Sequence, residues 1–80
     1  MNLECLFAYS YLWAWGLCSM QEYNVHLDRL FSETPNNKIL LELEKCSNNY
    51  KETFARLKRY FEYETNTFDS YIFGKTLLMV

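Results

Sequence analysis

Aromatic rings occupy every second position of the stretch FAYSYLWAWG, residues 7–16. Such alternation is typical of a β-strand, but the residues between the rings are not polar, so the pattern alternates in size and not in polarity. A helix fits equally well, because the intervening alanine and leucine residues are good helix formers. One side of that helix would carry Leu3, Leu6, Phe7, Ser10, Trp13, Ala14 and Leu17. We favour the helix, ending near Gly16, and keep the strand as the alternative.

Two capping motifs predict further helices. Ser19 and Glu22 have the spacing of a capping box, in which each side chain pairs with a free backbone amide at a helix start. A helix is therefore expected at about 20–32, with its apolar residues three and four apart. Asn49 and Glu52 resemble the same motif and precede an apolar stripe formed by Tyr50, Phe54, Leu57 and Phe61.

The segment between these helices contains Pro35, which breaks the chain and suits the first turn of a new helix. That helix would place Ile39, Leu40, Leu43 and Cys46 on one face. The sequence thus predicts a third short helix that begins close to Pro35.

The last segment admits two interpretations. Thr67 can cap a helix that has Asp69 in its first turn. The apolar face of this helix would comprise Phe68, Tyr71, Ile72, Thr76 and Met79. The alternative is a β-hairpin that turns at Gly74 and Lys75.

A chain of 80 residues is expected to form one domain, residues 1–80. We predict an all-α fold, a small bundle of four to five short helices. The alternative is an α+β fold with an N-terminal strand and a C-terminal hairpin. Half of the residues are apolar and 19% are aromatic, which compensates for the thin core of so small a domain.

The charge pattern argues against nucleic acid and membrane partners. The formal net charge is −2, whereas nucleic-acid binding requires a basic stripe. The apolar run from Cys5 to Cys18 is shorter than the roughly 20 residues of a bilayer span, and it lacks the basic start of a signal peptide. We therefore expect a cytoplasmic protein.

Few residues could carry chemistry. The three cysteines are widely spaced and there is one histidine, so we expect reduced thiols, no metal and no cofactor. His26 lacks an identifiable nucleophile, and the Gly-Lys-Thr at residues 74–76 lacks the rest of a phosphate-binding loop. The sequence predicts a protein that is not an enzyme.

Exposed aromatic and arginine side chains are typical of protein interfaces. The candidate partner-binding residues are Tyr9, Trp13, Trp15, Arg56, Arg59, Tyr60 and Tyr63. They predict a non-catalytic interaction module, such as a small inhibitor, immunity or regulatory protein, that occludes another protein through an aromatic surface. Self-association into a homo-oligomer would cover the same rings.

Two other functions remain open. Aromatic walls together with Arg56 and Arg59 would also suit a helical bundle that binds a nucleotide or a small ligand. The apolar residues at both ends of the sequence would also suit a helical part of a larger protein.

Overall fold

The computed structural model describes residues 3–65 and 67–78, and within them the chain is helical with no β-strand. The elements in chain order are α1 (Leu3–Ala14), α2 (Met20–Glu33), α3 (Lys38–Lys45), α4 (Tyr50–Arg59), a π-helical turn (Tyr60–Glu64) and α5 (Ser70–Leu78). The all-α bundle is confirmed, and the described residues contain neither the alternative strand nor the hairpin.

Side-chain caps start most of the helices. The Glu22 amide donates to Ser19 Oγ at 3.1 Å, which confirms the serine half of the predicted capping box, while the Glu22 carboxylate accepts from the Ser19 hydroxyl at 3.4 Å. Asn49 Oδ1 accepts from two amides of the first turn of α4, which confirms the second cap. For α3 the prediction needs correction, because the cap is Asn37 and Pro35 lies in the preceding loop.

The start of α5 also differs from the prediction. Asp69 Oδ1, and not Thr67, accepts from the amides of Tyr71 and Ile72 at 3.0 and 3.1 Å. Thr76 is buried as expected, whereas the Tyr71 side chain is 73% exposed. Met79, the last residue of the predicted face, lies outside the described residues.

The first helix lies at the centre of the bundle. It packs against α2, α4 and α5, while α3 packs on α2. The buried core consists of Leu3, Leu6, Phe7, Tyr23, Leu27, Ile39, Leu40, Leu43 and Leu57. The apolar surface of α1 is therefore used on several sides at once, as its unbroken apolar sequence indicates.

The α-helices in residues 3–65 and 67–78 contain eight to fourteen residues each. None of them combines the length with the apolar character that a bilayer crossing needs.

Candidate functional site

The α1 helix ends in a Schellman motif that presents Trp15 to solvent. Gly16 adopts a φ of 77°, a left-handed conformation that a glycine reaches without steric cost. The Leu17 amide donates to the Leu12 carbonyl at 2.8 Å, and the Gly16 amide donates to the Trp13 carbonyl at 3.1 Å. Trp15, the residue just before the glycine, is 59% exposed.

Trp15 stands at one end of a groove that runs along the surface between α1 and α4. The groove consists of two neighbouring cavities of about 300 and 380 Å³. The first is lined by Tyr11, Ala14, Trp15, Tyr50, Lys51 and Phe54. The second is lined by Phe7, Tyr11, Lys58, Phe61, Glu62 and Phe68. Tyr11 lines both cavities, and we call the two together the aromatic groove.

Tyr11 holds its position through contacts with both neighbouring helices. Its ring meets Phe54 of α4 edge-on at 4.6 Å between centroids, and Phe73 of α5 at 5.7 Å. The Trp15 ring lies against it at 5.3 Å. Because α4 and α5 each pack on α1 and not extensively on each other, these rings stay partly open to solvent.

The π-helical turn places Phe61 in the groove. The Thr65 amide donates to the Tyr60 carbonyl at 3.0 Å, a bond that spans five residues and closes the wider turn. Phe61 then stacks on Phe7 with centroids 5.2 Å apart and planes 17° from parallel. The π-helical turn therefore packs Phe61, which lines the second cavity of the groove, against Phe7 of the core.

Lysines give the aromatic groove a positive edge. Lys51 and Lys58 are exposed and lie seven residues apart on α4, and each borders one of the two cavities. Lys58 Nζ is 3.9 Å from Glu62 Oε1, an exposed pair of small energetic value. The groove thus combines an aromatic floor with two exposed ammonium groups and one exposed carboxylate, that of Glu62.

Two of the predicted binding residues lie on the α2 side of α1. Tyr9 stacks on His26 with ring centroids 4.1 Å apart. Trp13 stacks on the buried Tyr23 at 5.4 Å and meets Tyr50 edge-on. Both side chains are half-buried, so the protein itself covers much of the surface that the sequence led us to expect open. Trp15 is the member of the aromatic run that is most exposed.

Arg56 is held by carboxylates within the chain. Its guanidinium hydrogen-bonds and pairs with Glu42 of α3 and with Glu64 of the π-helical turn. The hydrogen bond from Arg56 lowers the pKa of the Glu64 carboxyl. Tyr60 is half-buried beside Arg56 in a shallow cavity, separate from the aromatic groove.

The other two predicted residues lie on the surface. Arg59 is exposed, and the Tyr63 side chain is 79% exposed. The structure thus does not gather the seven candidates into one site, and it places only Trp15 in the aromatic groove.

A smaller cavity of about 230 Å³ is lined in part by the polar side chains of Cys5, His26, Arg29 and Glu33. His26 Nδ1 accepts a hydrogen bond from Arg29 Nη2 at 2.6 Å, since a guanidinium can only donate. Burial, and then the Arg29 charge, lowers the pKa of His26. In catalytic triads the histidine is oriented by a carboxylate, whereas here a cation takes that position. In residues 3–65 and 67–78 no three His, Cys, Asp or Glu side chains group as metal ligands would.

Sequence reasoning missed Tyr11, Tyr50, Phe54 and Lys51 as groove residues. Tyr50 and Phe54 were assigned to the core stripe of α4, and Tyr11 was one ring among five. The available signal was their spacing, because a helical residue such as Tyr11 faces the same side as Trp15, four residues later.

Comparison with known proteins gives no relative to guide the assignment. No family model, curated protein or solved structure matches this chain.

Proposed function

We propose that the protein is a non-catalytic interaction module that acts by occluding another protein, in the manner of a small inhibitor, immunity or regulatory protein. One observation carries the proposal: the aromatic groove leaves Trp15 more than half exposed beside a line of partly open rings. Clusters of tryptophan and tyrosine in such depressions are enriched among the residues that dominate binding energy at interfaces.

The remaining features agree with a binding role in the cytoplasm. The three cysteines are free thiols, as a reducing compartment would keep them. His26, the one histidine, is paired with Arg29 and not with a carboxylate, which supports a function without catalysis. Self-association through the same rings remains an alternative way of covering them.

Binding of a nucleotide or small ligand through Arg56 and Arg59 has weaker support. The Arg56 guanidinium already bonds two carboxylates, and these would have to be displaced by a phosphate. Arg56 is therefore better explained as a link between α3 and the end of α4.

Affinity capture tests the proposal when it is made to depend on Trp15. Wild-type protein, Trp15→Ala and the control Val25→Ala would be immobilised and exposed to lysate of the cells that make the protein. Val25 is 64% exposed on α2 and lies outside the aromatic groove. We expect a protein that wild type and Val25→Ala retain and that Trp15→Ala loses, with its affinity lowered at least about 30-fold.

Thermal unfolding should show that both variants remain folded, since both side chains are largely exposed. The proposal fails if no retained protein distinguishes Trp15→Ala from the control. It also fails if the retained protein is a substrate that the chain chemically converts.

A further inference from the structure

We propose that the aromatic groove receives an acidic amphipathic helix of a partner protein, about three turns long. This inference rests on the proposed function and specifies the partner's chemistry at the same site. Its basis is the shape of the groove, the nature of its lining and the charge at its edge.

The length of the groove matches a short helix. Along α4 and into the π-helical turn it extends from Tyr50 to Phe61, which at the α-helical rise of 1.5 Å per residue is about 16 Å, or three helical turns. The two cavities share Tyr11 as a lining residue, so successive apolar side chains of one helix could enter both. Residues at i, i+3 or i+4, and i+7 of a helix have this spacing.

The aromatic lining favours a helix over an extended peptide. An extended peptide must find partners for its backbone amides and carbonyls, and burying them unpaired is costly. The described residues contain no strand whose edge could pair with it, and the floor of the groove consists of rings. A helix satisfies its own backbone groups and presents only side chains.

The charge at the edge favours acidic flanks on that helix. The chain as a whole is acidic, with a net charge of −2, yet two of its exposed lysines, Lys51 and Lys58, border the groove. Glu62 also lines the second cavity, 3.9 Å from Lys58, so the charges of Lys51, Lys58 and Glu62 leave the edge with a formal charge of +1. Aspartate or glutamate beside the apolar stripe of the partner would face these ammonium groups.

A second copy of the chain fits the groove less well. Pairing groove to groove would bring Lys51 and Lys58 against the same residues of the other copy. The exposed face of α5, with Tyr71 and Leu78, carries Lys75 and would meet the groove with like charge. These two arrangements are therefore less favourable than an acidic foreign helix.

Selection from a displayed library of random 16-residue peptides tests the inference without assuming a sequence. We expect peptides retained by wild-type protein to carry apolar residues at helical spacing with flanking aspartate or glutamate, and Trp15→Ala to abolish their retention. An enriched motif that is basic, uncharged or extended would contradict the inference, and so would the absence of any enrichment.

A charge-reversal pair measures the role of the lysines. Affinity of the best peptide for Lys51→Glu/Lys58→Glu should fall about tenfold at low salt, and the effect should shrink at high salt. The matched control, Lys45→Glu/Lys75→Glu, changes the net charge equally outside the groove and should stay within about twofold of wild type. Circular dichroism verifies that both double variants are folded.

The outcomes separate this inference from the proposed function. If peptides bind through Trp15 but ignore both lysine pairs, the interaction module stands and the acidic helix is excluded. If no binding depends on Trp15, both fail. A dimer in light scattering that Trp15→Ala dissociates would assign the groove to self-association, and Trp15-dependent binding of a single-stranded oligonucleotide would assign it to nucleic acid.

Discussion

Tyr9, His26 and Arg29 form a small stack between the first two helices. The Tyr9 ring covers one face of the imidazole, and the Arg29 guanidinium donates to its Nδ1. Protonation would place a positive charge on a partly buried ring, and that charge would also lie beside the positive charge of Arg29. The neutral form is therefore favoured, which is the reason that the pKa of His26 lies below its ordinary value.

This shift predicts a loss of stability in mild acid. The unfolded chain takes up a proton on His26 near its ordinary pKa of 6.5, while the folded chain resists protonation until the pH is lower. The unfolded state then binds more protons, so the free energy of unfolding falls as the pH drops below about 6.5 and levels off below the folded-state pKa. Urea unfolding at pH 7.5 and pH 5.5 measures the difference.

The substitution His26→Gln identifies the titrating group. It should remove most of the difference between the two pH values, since the ordinary pKa values of aspartate and glutamate lie below this range. A wild-type protein equally stable at both pH values would contradict the argument, as would a His26→Gln variant that keeps the full difference.

For individual residues, the sequence predicted which side chains are buried better than it predicted their hydrogen-bond partners. Tyr23 falls on the apolar stripe of α2 and is fully buried, as that stripe indicates. Its hydroxyl, near Thr53, lies without a hydrogen bond among the described residues, and burial raises the pKa of the phenol. Such details depend on α4, which packs from a distant part of the chain, so the local pattern could not reveal them.

Helix α5 depends on a single residue for its start. Asp69 caps the helix through its side chain, while its backbone amide donates to Glu4 Oε2 of α1 at 3.0 Å. Thr67 instead hydrogen-bonds Thr65, two residues earlier. The cap thus also helps to place α5 against α1.

Substitutions at these two positions should have unequal effects. Asp69→Ala should lower the free energy of unfolding by about 1 kcal/mol, because two amides of the first turn lose their acceptor. Thr67→Ala serves as the control, with an expected change below about 0.5 kcal/mol. Chemical denaturation measures both, and an equal or larger loss in Thr67→Ala would show that the cap is not the stabilising interaction.

The start of a helix could be predicted from the sequence where the residues that determine it lie within one turn of the chain. Ser19 and Asn49 marked the starts of α2 and α4, because a capping side chain and its amides lie within one turn. The π-helical turn had no such mark, since its wide turn accompanies contacts of Phe61 with α1 and of Glu64 with Arg56. Those contacts come from tertiary packing, which residues 60–64 alone do not specify.

At the scale of the whole molecule, Phe7 connects the elements around α1. Its ring lies within 5.2–6.4 Å of five others, from α1, α4, the π-helical turn, the loop before α5 and α5 itself. A domain of 80 residues has a total stability of roughly 4–12 kcal/mol. One such ring is therefore a large share of what keeps this molecule folded.

Truncation of Phe7 should come close to unfolding the protein. Phe7→Ala should cost about 3–5 kcal/mol, through lost contacts and the cavity left behind. Tyr63→Ala removes a large ring that is 79% exposed and should change stability by less than about 0.5 kcal/mol. Thermal unfolding of the two variants provides the comparison, and similar melting temperatures would refute the central role of Phe7.

The aromatic groove exists only at this scale, and the sequence could not locate it. Trp13 and Trp15 are two residues apart, and helical geometry turns them toward different neighbours. Their relative exposure depends on how α4 and α5 pack against α1. This packing cannot be predicted from the sequence of any one helix. The sequence predicted that rings would remain uncovered, and the packing determined that Trp15 is the one left most exposed in that run.

The π-helical turn after Arg59 has a consequence for how the chain tolerates changes in length. The widened turn accommodates one residue more than an α-helix would, and each residue of an α-helix corresponds to a rotation of about 100°. A one-residue deletion within Tyr60–Glu64 would therefore close the wide turn to an α-helical one and leave the direction of the chain beyond it nearly unchanged. This turn should thus tolerate the loss of one residue better than the regular helix α4, where the same loss would rotate the chain beyond it by about 100°.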